Sequence, residues 1–230
     1  MSTSLSLVHR VRPATVVDGT DADTSARAPL LILMHGVGSN ERSLTTIADT
    51  FDARFVVLSV RSPIELGPDS FGFFHVTFGS AGPVINADEA IAGWTLVGRF
   101  IDEAVLAYNT DPQRVYVAGF SQGGIMSLAA MLTAPRKLAG AVCMSGRLLP
   151  EVFPFAADRS LLVGKPLMIV HGTMDDKLRI DFARSARDTL APFGFDLTYK
   201  EYPMRHQISP ETLADVSAWL TAQLDLSEQT

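Results

Sequence analysis

Apolar positions along this chain come in two arrangements. Nearly unbroken apolar runs recur at 30–34, 55–60, 115–120, 138–144 and 166–170. Runs this short and this apolar predict strands covered on both faces, as in a parallel sheet. Between them, apolar residues return every three or four positions. Ile91, Trp94, Val97, Ile101, Val105 and Tyr108 mark one face of a helix over 88–108. Phe182, Ala186, Leu190 and Phe193 do the same over 181–193. Leu213, Val216, Leu220 and Leu224 do so over 211–224, with Pro210 suited to a first helical turn. A helical pattern also runs over 125–132. A further helix is expected up to about Thr50, capped by Ser39 or Asn40, with Glu41 well placed near its positive end. Residues 5–12 and 195–202 alternate and predict two more strands, the first at a sheet edge.

Strands and helices therefore alternate. That order predicts an α/β fold, a mostly parallel sheet with helices on both faces. No repeat or linker divides the chain, so residues 1–230 are expected to form a single domain. The stretch 61–86 holds seven glycines and prolines and predicts a long irregular connection, rich in aromatics (Phe71, Phe73, Phe74, Phe78). The stretch 147–164 is also expected to be irregular, and is too short for a large lid. Residues 18–28 and 225–230 are expected to be an exposed loop and a mobile tail.

Composition narrows the function classes. Hydrophobic residues make up 47% of the 230, enough for a large core. Nineteen basic residues stand against 25 acidic ones, a net charge of −6, and no basic run stands out. Nucleic acid is therefore not expected as a partner. The single cysteine, Cys143, lies in an apolar run and reads as a small buried hydrophobe. Neither a signal peptide nor a membrane span is evident, so a cytoplasmic protein without stable membrane insertion is expected. No histidine pair has zinc spacing, and the Gly spacing at 36–38 does not suit a phosphate loop, so no metal or cofactor is implied. A homodimer is not indicated, because sheet packing accounts for every apolar helix face.

The chemistry starts at Gly119-Phe120-Ser121-Gln122-Gly123, between a predicted strand and a predicted helix. Glycines two before and two after the turning residue let the two backbones approach, and the residue between is held strained and exposed. The bare pattern arises by chance in about one chain of this length in ten or twenty, so its context must carry the case. A serine hydroxyl needs a base, and the base needs a carboxylate that fixes its tautomer. On a sheet of this kind the chain order is nucleophile, acid, histidine. His9, His35 and His75 precede Ser121, and His171 precedes the acid candidates, which leaves His206. The acid candidates are Asp175 and Asp176, adjacent in the loop after the 166–170 strand, with Asp181 and Asp196 weaker because they lie inside regular structure. The oxyanion donors expected are the amides of Gln122, which follows the nucleophile, and Val37, in the loop after the 30–34 strand.

Four motifs carry a resemblance. They are Leu33-Met34-His35-Gly36-Val37-Gly38, Gly119-Phe120-Ser121-Gln122-Gly123-Gly124, His171-Gly172-Thr173-Met174-Asp175 and Met204-Arg205-His206-Gln207-Ile208-Ser209. Together they resemble the phospholipase/carboxylesterase family of α/β-hydrolases, the group of acyl-protein thioesterase-like enzymes and small bacterial esterases. The likeness runs from about Leu30 to Leu224. It implies the α/β-hydrolase fold, a triad of Ser121, Asp175 and His206, and no cofactor. The family's acid is the fourth residue after the histidine of His-Gly, which maps to Asp175. Arg205 stands where the family commonly has Gly, and Asp176 where it often has Pro. The implied activity is that of a serine carboxylesterase acting on small or medium acyl esters, with thioesters and lysophospholipids as variants. The competing expectations are a non-catalytic ligand-binding protein on the same fold and an acyltransferase using the same triad.

Overall fold

The computed structural model describes residues 5–15, 27–79 and 82–227. Seven strands form one sheet: β1 (His9–Arg12), β2 (Leu30–Met34), β3 (Val56–Val60), β8 (Val115–Phe120), β9 (Gly140–Met144), β10 (Pro166–Gly172) and β11 (Asp196–Tyr202). Across the sheet they lie in the order β1-β3-β2-β8-β9-β10-β11. Only β1, at the edge, is antiparallel to its neighbour; the other pairings are parallel. The architecture is an α/β-hydrolase fold, without a large lid among the described residues.

The alternation of side chains along each strand sorts the core into two layers. Leu30, Ile32 and Met34 face one way and pack with the helices α2 (Ala87–Ala107), α3 (Gln122–Thr133) and α4 (Ile180–Leu190). Leu31 and Leu33 face the other way and pack with α1 (Thr45–Ala48) and α5 (Pro210–Ser227). Both faces of the central strands are buried, which is why their sequences are apolar without a break. Among the described residues, no helix is long and apolar enough to cross a membrane.

The expected helix ending near Thr50 is corrected. Its α-helical part is only α1, and most of 40–51 is a series of tight turns with i to i+3 backbone bonds. The hydroxyls of Ser43, Thr45 and Thr50 each donate to the carbonyl three residues back, and Asn40 Oδ1 accepts the Arg42 N–H. Such local bonds compete with an α-helix. Glu41 does not serve the helix end. It is buried and accepts two hydrogen bonds from Arg61, at 2.6 and 2.9 Å. The Arg61 bond outweighs burial and lowers its pKa to about 2.

The connection 61–86 is also corrected: it is not irregular. It forms two small hairpins, β4 (Ile64–Gly67) with β5 (Ser70–Gly72), and β6 (Val76–Gly79) with β7 (Gly82–Ile85). The glycines and prolines that suggested an irregular path sit mostly at the ends and turns of these strands. Residues 147–164 hold two 3₁₀ turns, at Pro150–Phe155 and Arg159–Leu161. The last helix continues to Ser227, past the expected start of the tail at 225, because Leu224 is buried against the second layer. Residues 228–230 and most of the expected loop at 18–28 lie outside the described residues.

Candidate active site

The chain leaves β2 for β3 on one side and returns past β2 to β8 on the other. Such a reversal opens a crevice at the carboxyl ends of the two strands, where ligands bind in open α/β sheets. In register, Met34 pairs with Gly119, so the loop after β2 and the turn after β8 are neighbours. Ser121 occupies that turn with φ 54° and ψ −115°. A non-glycine residue held there costs about 1–3 kcal/mol and persists only where the surroundings impose it. Here they do. A Cβ at Gly119 would collide with the Gly123 backbone, and one at Gly123 with the Met34 carbonyl. The Ser121 N–H donates to the Met144 carbonyl, and its carbonyl accepts from Ile125 in the first turn of α3.

The loops after β10 and β11 bring in the other two groups. Thr173 N–H donates to the Tyr202 carbonyl at 2.8 Å, and Met174 N–H to the Met204 carbonyl at 3.1 Å. A Cβ at Gly172 would meet that same Met204 carbonyl, so the close approach needs glycine. The two loops place His206 Nδ1 2.6 Å from Asp175 Oδ2, and His206 Nε2 2.9 Å from Ser121 Oγ. A carboxylate only accepts, so Nδ1 carries the proton and Nε2 is free to accept from the serine hydroxyl. The Phe120 ring lies 4.9 Å from the imidazole and backs it.

Asp175, and not Asp176, faces His206. Its side chain is fully buried, whereas Asp176 is exposed. Oδ1 accepts the N–H groups of Lys177 and Leu178. Oδ2 receives His206 and lies 3.3 Å from Nε2 of the buried His171, which also donates to the Leu178 carbonyl. Burial alone would raise this carboxyl. The hydrogen bonds from His171, His206 and the Leu178 amide outweigh it and hold the group well below the usual carboxylate range.

The Val37 loop is held just as closely. His35 Nε2 accepts the Ser62 N–H at 3.0 Å, which leaves Nδ1 to donate to the Gly36 carbonyl at 2.7 Å. Burial lowers the pKa of His35, in keeping with this neutral form. Gly38 N–H donates to the Phe71 carbonyl, and Phe71 N–H to the Ser39 carbonyl. Val37 and Gln122 thereby flank Ser121 in one cleft of about 250 Å³. Its wall is mostly apolar: Phe74, Val76, Pro83, Ile85, Phe120 and Ile125. The aromatic stretch after Phe71 divides its work. Phe73 is wholly core, Phe74 is buried and forms cleft wall, and Phe71 lies under Arg61, 4.6 Å from the guanidinium.

All five sequence-selected residues converge on this cleft, directly or, for Asp175, through His206. Arg205, which replaces the family's usual Gly, is exposed and leaves the contacts of His206 in place. Two contributors were not legible in the sequence. One is His171, the second histidine on Asp175; its position four residues before the acid at a strand end was the only signal. The other is the Gln122 side chain, which accepts the Phe73 N–H at 2.6 Å and donates to the Phe74 carbonyl at 2.8 Å. Among the described residues, no group of three or more His, Cys, Asp or Glu is placed to hold a metal.

Comparisons with known proteins bear on the family and the fold. A family model for phospholipases/carboxylesterases matches residues 86–224. Acyl-protein thioesterase 1 of Gibberella zeae is 35% identical over 136 residues, 56% of this chain and 54% of that protein. The chain thus spans about half the length of that relative. A probable carboxylesterase of Oryza sativa subsp. japonica is 26% identical over 94% of this chain and 86% of its own length. The crystal structure of the Bacillus cereus carboxylesterase superposes with a TM-score of 0.77 at 23% identity, covering 94% of each chain, which speaks to the fold. The family model spans more than half of the chain, so this protein belongs to the phospholipase/carboxylesterase family.

Proposed function

We propose that the protein is a serine hydrolase that cleaves carboxylic esters of small or medium acyl groups through an acyl-Ser121 intermediate. The observation that carries this reading is the unbroken hydrogen-bond chain Asp175–His206–Ser121, which ends in an apolar cleft. The relatives named as carboxylesterases and thioesterases support the same bond class, with an alcohol or a thiol as leaving group.

Ser121 Oγ attacks the substrate carbonyl carbon while His206 Nε2 takes the hydroxyl proton. Asp175 holds the resulting imidazolium in place and stabilises its charge. The carbonyl oxygen becomes an oxyanion, received by the amides of Val37 and Gln122; each such donor is worth about 3–4 kcal/mol in comparable sites. The intermediate collapses, and the leaving group takes the proton from Nε2. Water then attacks acyl-Ser121, passing its proton through Nε2 back to Oγ as the acid departs.

The test is turnover of p-nitrophenyl butyrate. Ser121→Ala is expected to lower kcat by at least ~10³-fold with the thermal transition unchanged, and a fluorophosphonate probe is expected to label the wild type at Ser121 alone. Undiminished turnover by Ser121→Ala would sink the proposal.

A further inference from the structure

Among the described residues, two cationic side chains line the cleft without an ion pair to a carboxylate, Arg147 and the more exposed Lys177. Arg147 follows Ser145-Gly146 at the carboxyl end of β9, the strand beside the one that carries Ser121. It is half-buried, and its guanidinium lies 5.4 Å from the centre of the Phe182 ring. Its Nη2 donates to the Pro83 carbonyl at a long 3.4 Å. Glu151 acts on it through space but forms no ion pair with it. Other arginines are engaged differently: Arg61 is held by Glu41, Arg179 by Asp181 and Arg184 by Glu201.

A guanidinium keeps its charge under burial and carries five donors. One long bond to a carbonyl leaves most of them for whatever enters the cleft. A half-buried charge on an apolar wall is costly unless a partner compensates it. Lys177, exposed at the same cleft, has the same sign. The cleft volume, about 250 Å³, lies just under the roughly 300–1,000 Å³ of sites for drug-sized ligands, so its occupant is small.

We propose that Arg147 is a specificity-determining residue, selecting small esters that carry an anionic oxygen group (carboxylate or phosphate type) on the portion held in the cleft. The planar fork of Arg147 suits two-point pairing with such a group, and Lys177 adds attraction at the mouth. The proposal rests on Ser121 being the nucleophile.

The experiment compares three methyl esters matched in chain length: monomethyl glutarate, methyl 4-phosphonobutanoate and methyl pentanoate. Wild-type kcat/KM is expected to be at least ~10-fold higher for one or both anionic esters than for methyl pentanoate, and the faster of the two names the anion. In Arg147→Gln this ratio should fall at least ~10-fold, mainly through KM, and Arg147→Lys should restore part of it. A wild-type ratio of one or less overturns the proposal. So does an Arg147→Gln variant that slows all three esters equally, which would make Arg147 a tether for the Pro83 hairpin. If Arg147→Gln does not fold, inhibition of the wild type decides: free glutarate should inhibit methyl pentanoate turnover at least ~10-fold more tightly than free pentanoate, and equal inhibition overturns it. Loss of Ser121 dependence for every ester would instead overturn the underlying hydrolase reading.

Discussion

At the scale of single residues, the site depends on one buried carboxylate with several donors. Asp175 has a folded-state pKa below its unfolded value, near 3.9. A depressed carboxylate contributes stability above its unfolded pKa and loses it as pH falls toward the folded one. Asp175→Asn is therefore expected to cost roughly 2–3 kcal/mol at pH 7, from hydrogen bonds to a charged group. That deficit, followed by urea unfolding, should shrink between pH 4 and pH 2 as the wild type gives up its advantage. A constant gap across that range would contradict the account. Asp175 and Asp176 look alike in the sequence because adjacency hides the difference that matters, which is burial. Chain order sufficed to single out His206, since order is a property of the sequence itself. Chain order disqualifies His171, the second histidine on Asp175, as a base, and says nothing about a supporting contact.

At the scale of elements, the elbow after β8 is built from its neighbours inward. Gly123 lies against the Met34 carbonyl, so Gly123→Ala is expected to prevent folding or to cost at least ~3 kcal/mol, read by yield and thermal unfolding. Gln122 works outward, fastening the segment 73–74 to the start of α3. Gln122→Ala leaves a buried N–H and a buried C=O without partners, about 1–3 kcal/mol each, and should raise hydrogen exchange at Phe73 and its neighbours before the rest of the core. Exchange rising uniformly across the protein would remove this assignment. The long strands and helices were legible because their apolar periods are unambiguous. The segment 40–51 was not, because its serines and threonines bond their own backbone. The hairpins were not, because short half-exposed strands full of glycine and proline resemble loops until the partner strand is known. The Gln122 contact spans 48 or 49 residues, and no local pattern records it.

At the scale of the whole molecule, two apolar layers clasp one sheet, and Cys143 sits inside the first. It is 1% exposed, and burial pushes its thiol up to about 12. Thiols react as thiolates, so alkylation of the native protein should await global opening. Iodoacetamide labelling is expected to rise with urea in step with circular dichroism; labelling well ahead of that transition would show a local opening at β9. Chain order has one more consequence. The serine is carried by a central strand, while the acid and base come from the last two strands of the sheet, on its far side. During synthesis the chain emerges from its amino end, so Ser121 is made long before His206 can reach it. Under the proposed mechanism the growing polypeptide carries its nucleophilic hydroxyl unarmed, and only the docking of β11 and α5 brings His206 to it. Catalytic competence then doubles as a sign that the sheet has been completed.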